Sequence, residues 1–234
     1  MSRDDDPGVT KDEPQLHGDD NDPHDPTVPD VGVGPHPLPW PTDPRLDPEL
    51  LAAGDRRNVV DGYRYWTMDA IRADLAARRG AWRPARLQVA IQNWQHDFNI
   101  GSIIRTANAF DVETVHIVGR RRWNRRGAMV TDRYLDVVHQ PDERALADHC
   151  RAEGLVLVGV DNLPGSRPLE TFVLPEACCL VFGSEGPGLT EAMVAECESL
   201  VAISQYGSTR SLNAGAAAAI AMHHWMVQHV PHEG

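Results

Sequence analysis

Cysteine is scarce in these 234 residues: Cys150, Cys178, Cys179 and Cys197 are the only four, two of them adjacent inside an apolar run, with no C-x-x-C pair. That pattern supplies neither a disulfide framework nor the ligand spacing of a structural zinc site, so buried thiols and no metal are expected. Long hydrophobic runs are missing too. The richest, Ala214 to Met226, is short and holds His223 and His224, and no apolar leader opens the chain, so a cytoplasmic protein without a membrane partner is expected. Nor does a G-x-G-x-x-G turn follow the first predicted strand, which runs on into NWQHDFNIG. This argues against an ordinary dinucleotide-type domain, whether a small-molecule methyltransferase or an oxidoreductase.

Charge is present but unevenly spread. The formal net charge of −12 would by itself argue against a nucleic-acid partner. Residues 1–50, however, carry thirteen acidic and three basic side chains and eleven of the eighteen prolines. A segment so poor in branched and aromatic side chains cannot bury enough surface to offset the entropy of ordering it, and it reads as a disordered acidic arm. Residues 51–234 hold 21 acidic against 19 basic side chains, near neutrality, and suffice for one sizeable core. Within them Arg120, Arg121, Arg122, Arg125 and Arg126 fall in a seven-residue window broken only by Trp123 and Asn124. Guanidinium groups grip phosphate oxygens in forked pairs and an indole can stack on an unpaired base, so the window is a candidate RNA-binding loop. A solvated basic turn is the equally weighted alternative.

The pattern of elements is α/β. A linker and helical extension occupy 51–84, with a helix predicted from an N-cap at Thr67 to Arg79 and a stop at Gly80. RLQVAIQN alternates as a strand does, NIGSIIRTANAF reads as a helix, and Thr114 to Val118 as a strand. Asp142 to Glu153 is predicted helical and closed by Gly154. LVLVGV and CCLVFG are continuous apolar runs of the kind buried on both sheet faces. A turn at Pro187 and Gly188 precedes a helix starting near Thr190, and a strand from Leu200 to Ile203 precedes a terminal helix from about Leu212. Strands alternating with helices indicate a mostly parallel sheet.

Three stretches resemble the signature motifs of the SpoU (TrmH) family of RNA ribose 2′-O-methyltransferases: NIGSIIRTANAF, LVFGSEGPGLT and ISQYGSTRSLNAGAAAAI. Taken singly each has an ordinary reading, Asn99 as a helix cap and Arg105 as a surface side chain among them. Together and in this order they imply a SPOUT fold over 85–234, an α/β domain with a C-terminal trefoil knot, which nothing in residue periodicity reveals. The resemblance further implies S-adenosylmethionine as cofactor, tRNA or rRNA as substrate, and a homodimer whose sites borrow from the neighbouring subunit. It assigns catalytic roles to Asn99, Arg105, Glu185, Ser211 and Asn213, and the cofactor pocket to Gly183, Gly188, Ile203 and Leu212. Two departures stand out: Ala214-Gly215 replaces the more usual Val-Ser, and Ser204-Gln205-Tyr206 replaces a Pro-Met pair. A non-catalytic RNA-binding protein that retains the fold is the second reading, against which the intact polar set speaks.

Overall fold

The computed structural model describes residues 32–94, 99–184, 186–209 and 211–231, without the side chain of Arg126. Its centre is a seven-stranded, wholly parallel sheet. In chain order the strands are β1 (Arg86–Asn93), β2 (Thr114–Gly119), β3 (Asp136–Gln140), β4 (Val156–Val160), β5 (Arg167–Pro168), β6 (Ala177–Phe182) and β7 (Ser199–Ala202). In space they lie β3-β2-β1-β6-β4-β7-β5. The chain thus leaves β4 for the far edge at β5, then returns to insert β6 between β4 and β1. Val89 pairs with Val115 on one side and Leu180 on the other, so β1 is enclosed on both edges as well as both faces. That enclosure buries Gln88, Gln92 and Asn93 along with the apolar positions.

Helices cover both faces. Val89 and Ile91 point to one core, closed by α3 (Asn99–Ala109) through Ile100, Ile103, Ile104 and Ala107, and by α6 (Ala214–His229) through Ala218, Ala221, Met222 and Trp225. The alternate residues Ala90, Val181 and Cys179 meet α4 (Glu143–Glu153) and Met193 of α5 (Glu191–Glu196). All four cysteines are free, and burial pushes the Cys197 thiol up to about 12. Asp142 caps α4 by accepting from the Ala145 N–H at 2.8 Å, and Gly154 ends it at φ +68°. No helix among the described residues is long and apolar enough to cross a membrane.

The N-terminal region departs from expectation. Residues 32–50, read as part of a disordered arm, carry defined structure: Val33 bridges to Asp55, Leu46 to Trp66, and α1 (Pro48–Ala53) starts at an Asp47 cap. Low hydrophobicity is offset here by polar anchoring. Asp55 is fully buried, and although burial pushes its carboxyl up, the Arg57 guanidinium and the N–H groups of Tyr65 and Arg57 hold it at about 2. Residues 1–31 lie outside the described residues. Helix α2 (Met68–Ala81) is capped by Thr67 as predicted but runs through Gly80, which is tolerable in a last turn. It packs Ile71 and Leu75 on Tyr134, while Arg72 and Arg79 pair with Asp136 and Asp111.

A buried polar chain beneath α4 sets an acid limit on stability. The His116 ring donates from Nε2 to Gln88 Oε1 at 2.8 Å and accepts at Nδ1 from Gln140 Nε2 at 3.2 Å, the pattern of a neutral imidazole. Burial first, and the neighbouring His149 ring second, hold His116 down at about 3. The unfolded chain takes up this proton near the ordinary 6.5, so the stabilisation is complete above that pH and drains away as pH falls toward 3. The expected loss is about 1.4 kcal/mol per pH unit, roughly 2 kcal/mol by pH 5. Urea unfolding midpoints at pH 7, 6 and 5 check it, and a flat profile over that range would remove His116 from the account.

Candidate active site

The glycine turn after β6 is folded by close approach. A β-carbon on Gly183 would lie 2.1 Å from the Gly188 carbonyl carbon and 2.3 Å from the Leu189 nitrogen, so only glycine fits. Gly188 itself sits at φ +73°. The turn is then pinned from outside. The Ser184 hydroxyl donates to the Gln92 carbonyl at 2.9 Å, and the Gln92 carboxamide both accepts from the Thr190 N–H and donates to the Thr190 hydroxyl, at 2.9 Å each. Glu143 closes the ring by accepting from Gln92 and from Thr190, 2.8 Å each. Thr190 also caps α5, so strand, turn and two helices share one polar network at the carboxyl end of the sheet.

A cleft of about 710 Å³ opens beside this turn. Gly183, Gly188, Ile203 and Leu212, the four expected cofactor positions, all line it, as do Ser211 and Asn213. Asn213 caps α6: its Oδ1 accepts from the Gly215 and Ala216 N–H groups at 3.0 and 3.2 Å. Its Nδ2 donates to Asn99 Oδ1 at 2.8 Å, which joins the first motif to the third across 114 positions of sequence. Asn99 is the first residue of α3, and it is buried. Gly215 is part of this junction, since a β-carbon there would sit 3.6 Å from Ser102 Cβ and 3.1 Å from Asn213 Oδ1. At the other departure, Ser204 donates from its N–H and hydroxyl to the two Glu170 oxygens at 2.8 and 3.0 Å. That clamp fixes the strand exit carrying Ile203, while Tyr206 projects 95 % exposed. Glu185 lies outside the described residues.

Arg105 is not in the cleft. It is exposed on α3 one turn beyond Ser102, and its side chain makes no hydrogen bond or ion pair among the described residues. The residues that follow the arginine window, Gly127 and Ala128, dock on the start of the same helix: a β-carbon on Gly101 would meet the Ala128 nitrogen and Gly127 Cα at 2.7 Å. Asn93, at the end of β1, donates to the Arg120 and Arg122 carbonyls at 2.7 and 3.0 Å. Arg120, Arg121, Arg122 and Arg125 are thereby held exposed beside the Asn99 helix. Trp123 differs from expectation. It is partly buried, packed against the main core with the Arg125 guanidinium 5.6 Å from its ring.

Sequence reasoning passes over Gln92, Asp161, Ser184 and Glu170. Each is a single polar residue at a strand end or turn, marked by no periodicity; the signal available is polarity closing an apolar run. The lining suits an adenosyl group: glycine backbone that a flat ligand can approach closely, together with the apolar Ile203 and Leu212. The crevice beside Arg86 and Trp225 at the opposite end of β1 measures about 20 Å³, room for little more than a water.

Residues 86–223 match the model of the SpoU rRNA Methylase family. An uncharacterized tRNA/rRNA methyltransferase of Synechocystis is 30% identical over 175 residues, covering 70% of this chain and 43% of the relative. The 23S rRNA (guanosine(2553)-2′-O)-methyltransferase of Bacillus subtilis is 28% identical over 144 residues, 60% of this chain and 58% of that one. The chain thus spans about half the length of these curated relatives. Among solved structures, the SpoU methyltransferase AviRb of Streptomyces viridochromogenes, in complex with AdoMet, superposes with a TM-score of 0.57 at 28% identity, over 62% of this chain and 58% of that one.

Proposed function

The chain belongs to the SpoU rRNA methylase family, and on that premise we propose that it is an S-adenosylmethionine-dependent RNA methyltransferase that modifies a ribose 2′-hydroxyl of tRNA or rRNA. The observation that carries the reading is the Asn99–Asn213 hydrogen bond, which ties the helix bearing Arg105 to the wall of the glycine-lined cleft.

S-adenosylmethionine supplies a methyl group on a sulfonium that leaves readily, so the protein's task is alignment and activation of a weakly acidic hydroxyl. Gly183, Gly188, Ile203 and Leu212 hold the cofactor, and Ser211 and Asn213 orient its reactive end. Asn99 fixes the Asn213 carboxamide. A guanidinium has donors and no acceptor, so Arg105 acts not as a base but as a forked donor to the phosphate and to the developing alkoxide; the hydroxyl proton passes to phosphate or water. Glu185 is assigned to holding the glycine turn across a subunit interface.

The working unit proposed is a homodimer with a C-terminal knot. Helix α6 is rich in apolar residues, and Ala216, Ile220 and Val227 face solvent on one stripe together with His223, a face that suits a second copy. Arg105's position outside the cleft is consistent with a site completed across that interface. For the knot, the support is β6 inserted between β1 and β4, together with α6 fastened to the preceding connection: Trp225, Gln228 and His229 bond to the Pro175, Phe172 and Leu174 carbonyls at 3.1, 2.9 and 2.9 Å.

RNA enters over the arginine loop. Replacing Arg120, Arg121 and Arg122 together by Ala is expected to weaken binding of unrelated RNAs alike. The slope of log affinity against log salt should shrink by roughly 0.7 for each phosphate that is no longer neutralised. Filter binding at several salt concentrations reads this, and an unchanged slope would make the window a solvated turn. The function itself is tested by incubating the protein with methyl-labelled S-adenosylmethionine and total RNA. Label in the RNA is the expected result; cofactor binding with no transfer to any RNA would favour the non-catalytic reading.

A further inference from the structure

We propose that Asp161 recognises the hydroxyl pair of the cofactor's ribose, an inference that rests on the S-adenosylmethionine reading above. Asp161 follows directly on β4, at the carboxyl edge of the sheet, and is the only ionisable side chain among the described residues that line the cleft. It is held from every side. Its N–H donates to the Val201 carbonyl at 2.9 Å and its carbonyl accepts from the Ser166 hydroxyl at 2.7 Å. Its Oδ1 accepts from the Asn162 N–H at 2.7 Å and its Oδ2 from the Leu189 N–H at 2.8 Å. The glycine turn lies against it so closely that a β-carbon on Gly188 would stand 2.3 Å from Oδ2. The carboxylate is therefore fixed before any ligand arrives.

A carboxylate offers about four acceptor sites, and backbone donors fill two here. A vicinal diol brings two O–H donors at a spacing that matches the two oxygens. Acids at the ends of parallel strands serve nucleotide riboses in this way in doubly wound sheets. The surrounding glycine backbone brings the sugar close, and charge assistance makes each bond stronger than one to a neutral acceptor. The rest of the described lining is glycine, apolar, amide and the hydroxyls of Ser184 and Ser211, and none of these offers the charged pair of acceptor oxygens that a diol matches.

Calorimetry with three ligands tests the assignment: S-adenosylmethionine, 5′-methylthioadenosine, and the 2′,3′-dideoxy form of the latter. Removing the diol should cost the wild-type protein about tenfold to a hundredfold in affinity. Asp161→Asn should lose a similar factor for S-adenosylmethionine and for 5′-methylthioadenosine, and little more for the dideoxy nucleoside. Equal wild-type affinity for the two nucleosides overturns the inference without reliance on a variant. A loss in Asp161→Asn confined to S-adenosylmethionine also overturns it, because the carboxylate would then be facing the amino-acid ammonium. Binding of S-adenosylmethionine without diol dependence sinks this inference alone, whereas no binding of any adenosyl ligand sinks the cofactor reading with it.

Discussion

Arg105→Ala lowers the single-turnover rate of methyl transfer by about 10²–10³ and leaves S-adenosylmethionine affinity unchanged. The two halves of that expectation come from one structural fact. Arg105 is exposed, unpaired among the described residues and outside the cleft, so the cofactor does not depend on it. What the side chain can reach is substrate, arriving over the adjacent arginine loop. Arg105→Lys should recover little, because a point charge cannot grip phosphate and alkoxide with a planar fork. Wild-type transfer by Arg105→Lys would eliminate forked recognition, and loss of cofactor binding in Arg105→Ala would place the residue elsewhere.

Gly183→Ala should weaken cofactor binding by about a hundredfold. The added carbon would stand 2.1 Å from the Gly188 carbonyl carbon, and the clash cannot relax along the turn. Gln92, Thr190 and Glu143 hold the far end of the turn, so the near end must shift into the cleft. Overpacking of this kind costs about 1–3 kcal/mol, expressed here where the ligand sits. Calorimetric titration provides the measurement, and Gly207→Ala, whose added carbon meets open space, is the matched control expected to bind normally. Normal binding by Gly183→Ala would mean that the ligand does not use this turn.

Local chemistry is legible in the sequence wherever a pattern repeats or a cap announces itself. The strand Arg86–Asn93 and the helix ending at Gly154 fall where alternation and capping place them. Strand β3 does not show, because Asp136–Gln140 is a short edge strand with half-exposed residues and no apolar alternation to mark it. Residues 32–50 mislead for a different reason: composition reports the average tendency to bury surface, and this segment is anchored by one buried carboxylate and a few bridges instead. Strand order has no periodic signature at all. Nothing local to CCLVFG says that it lies between β1 and β4.

The site divides the same way. Family resemblance assembles Gly183, Gly188, Ile203, Leu212 and Asn213, and these do converge on one cleft. It does not foretell that Asn213 itself bonds Asn99 and caps the last helix, nor that Trp123 packs partly against the core. Gln92, Glu170 and Asp161 stay hidden because their importance arises only from what the fold sets beside them. An isolated polar residue at a strand end looks the same in sequence whether it faces water or a ligand.

If the methyl group goes to a sugar oxygen, alkali reads this directly. Hydrolysis of RNA by base needs a free 2′-hydroxyl beside the phosphate, so a methylated ribose protects its own linkage. RNA labelled by this protein from methyl-labelled S-adenosylmethionine should, after complete alkaline digestion, release its label in uncleaved dinucleotides. Label recovered in mononucleotides would place the methyl group on a base and contradict the account.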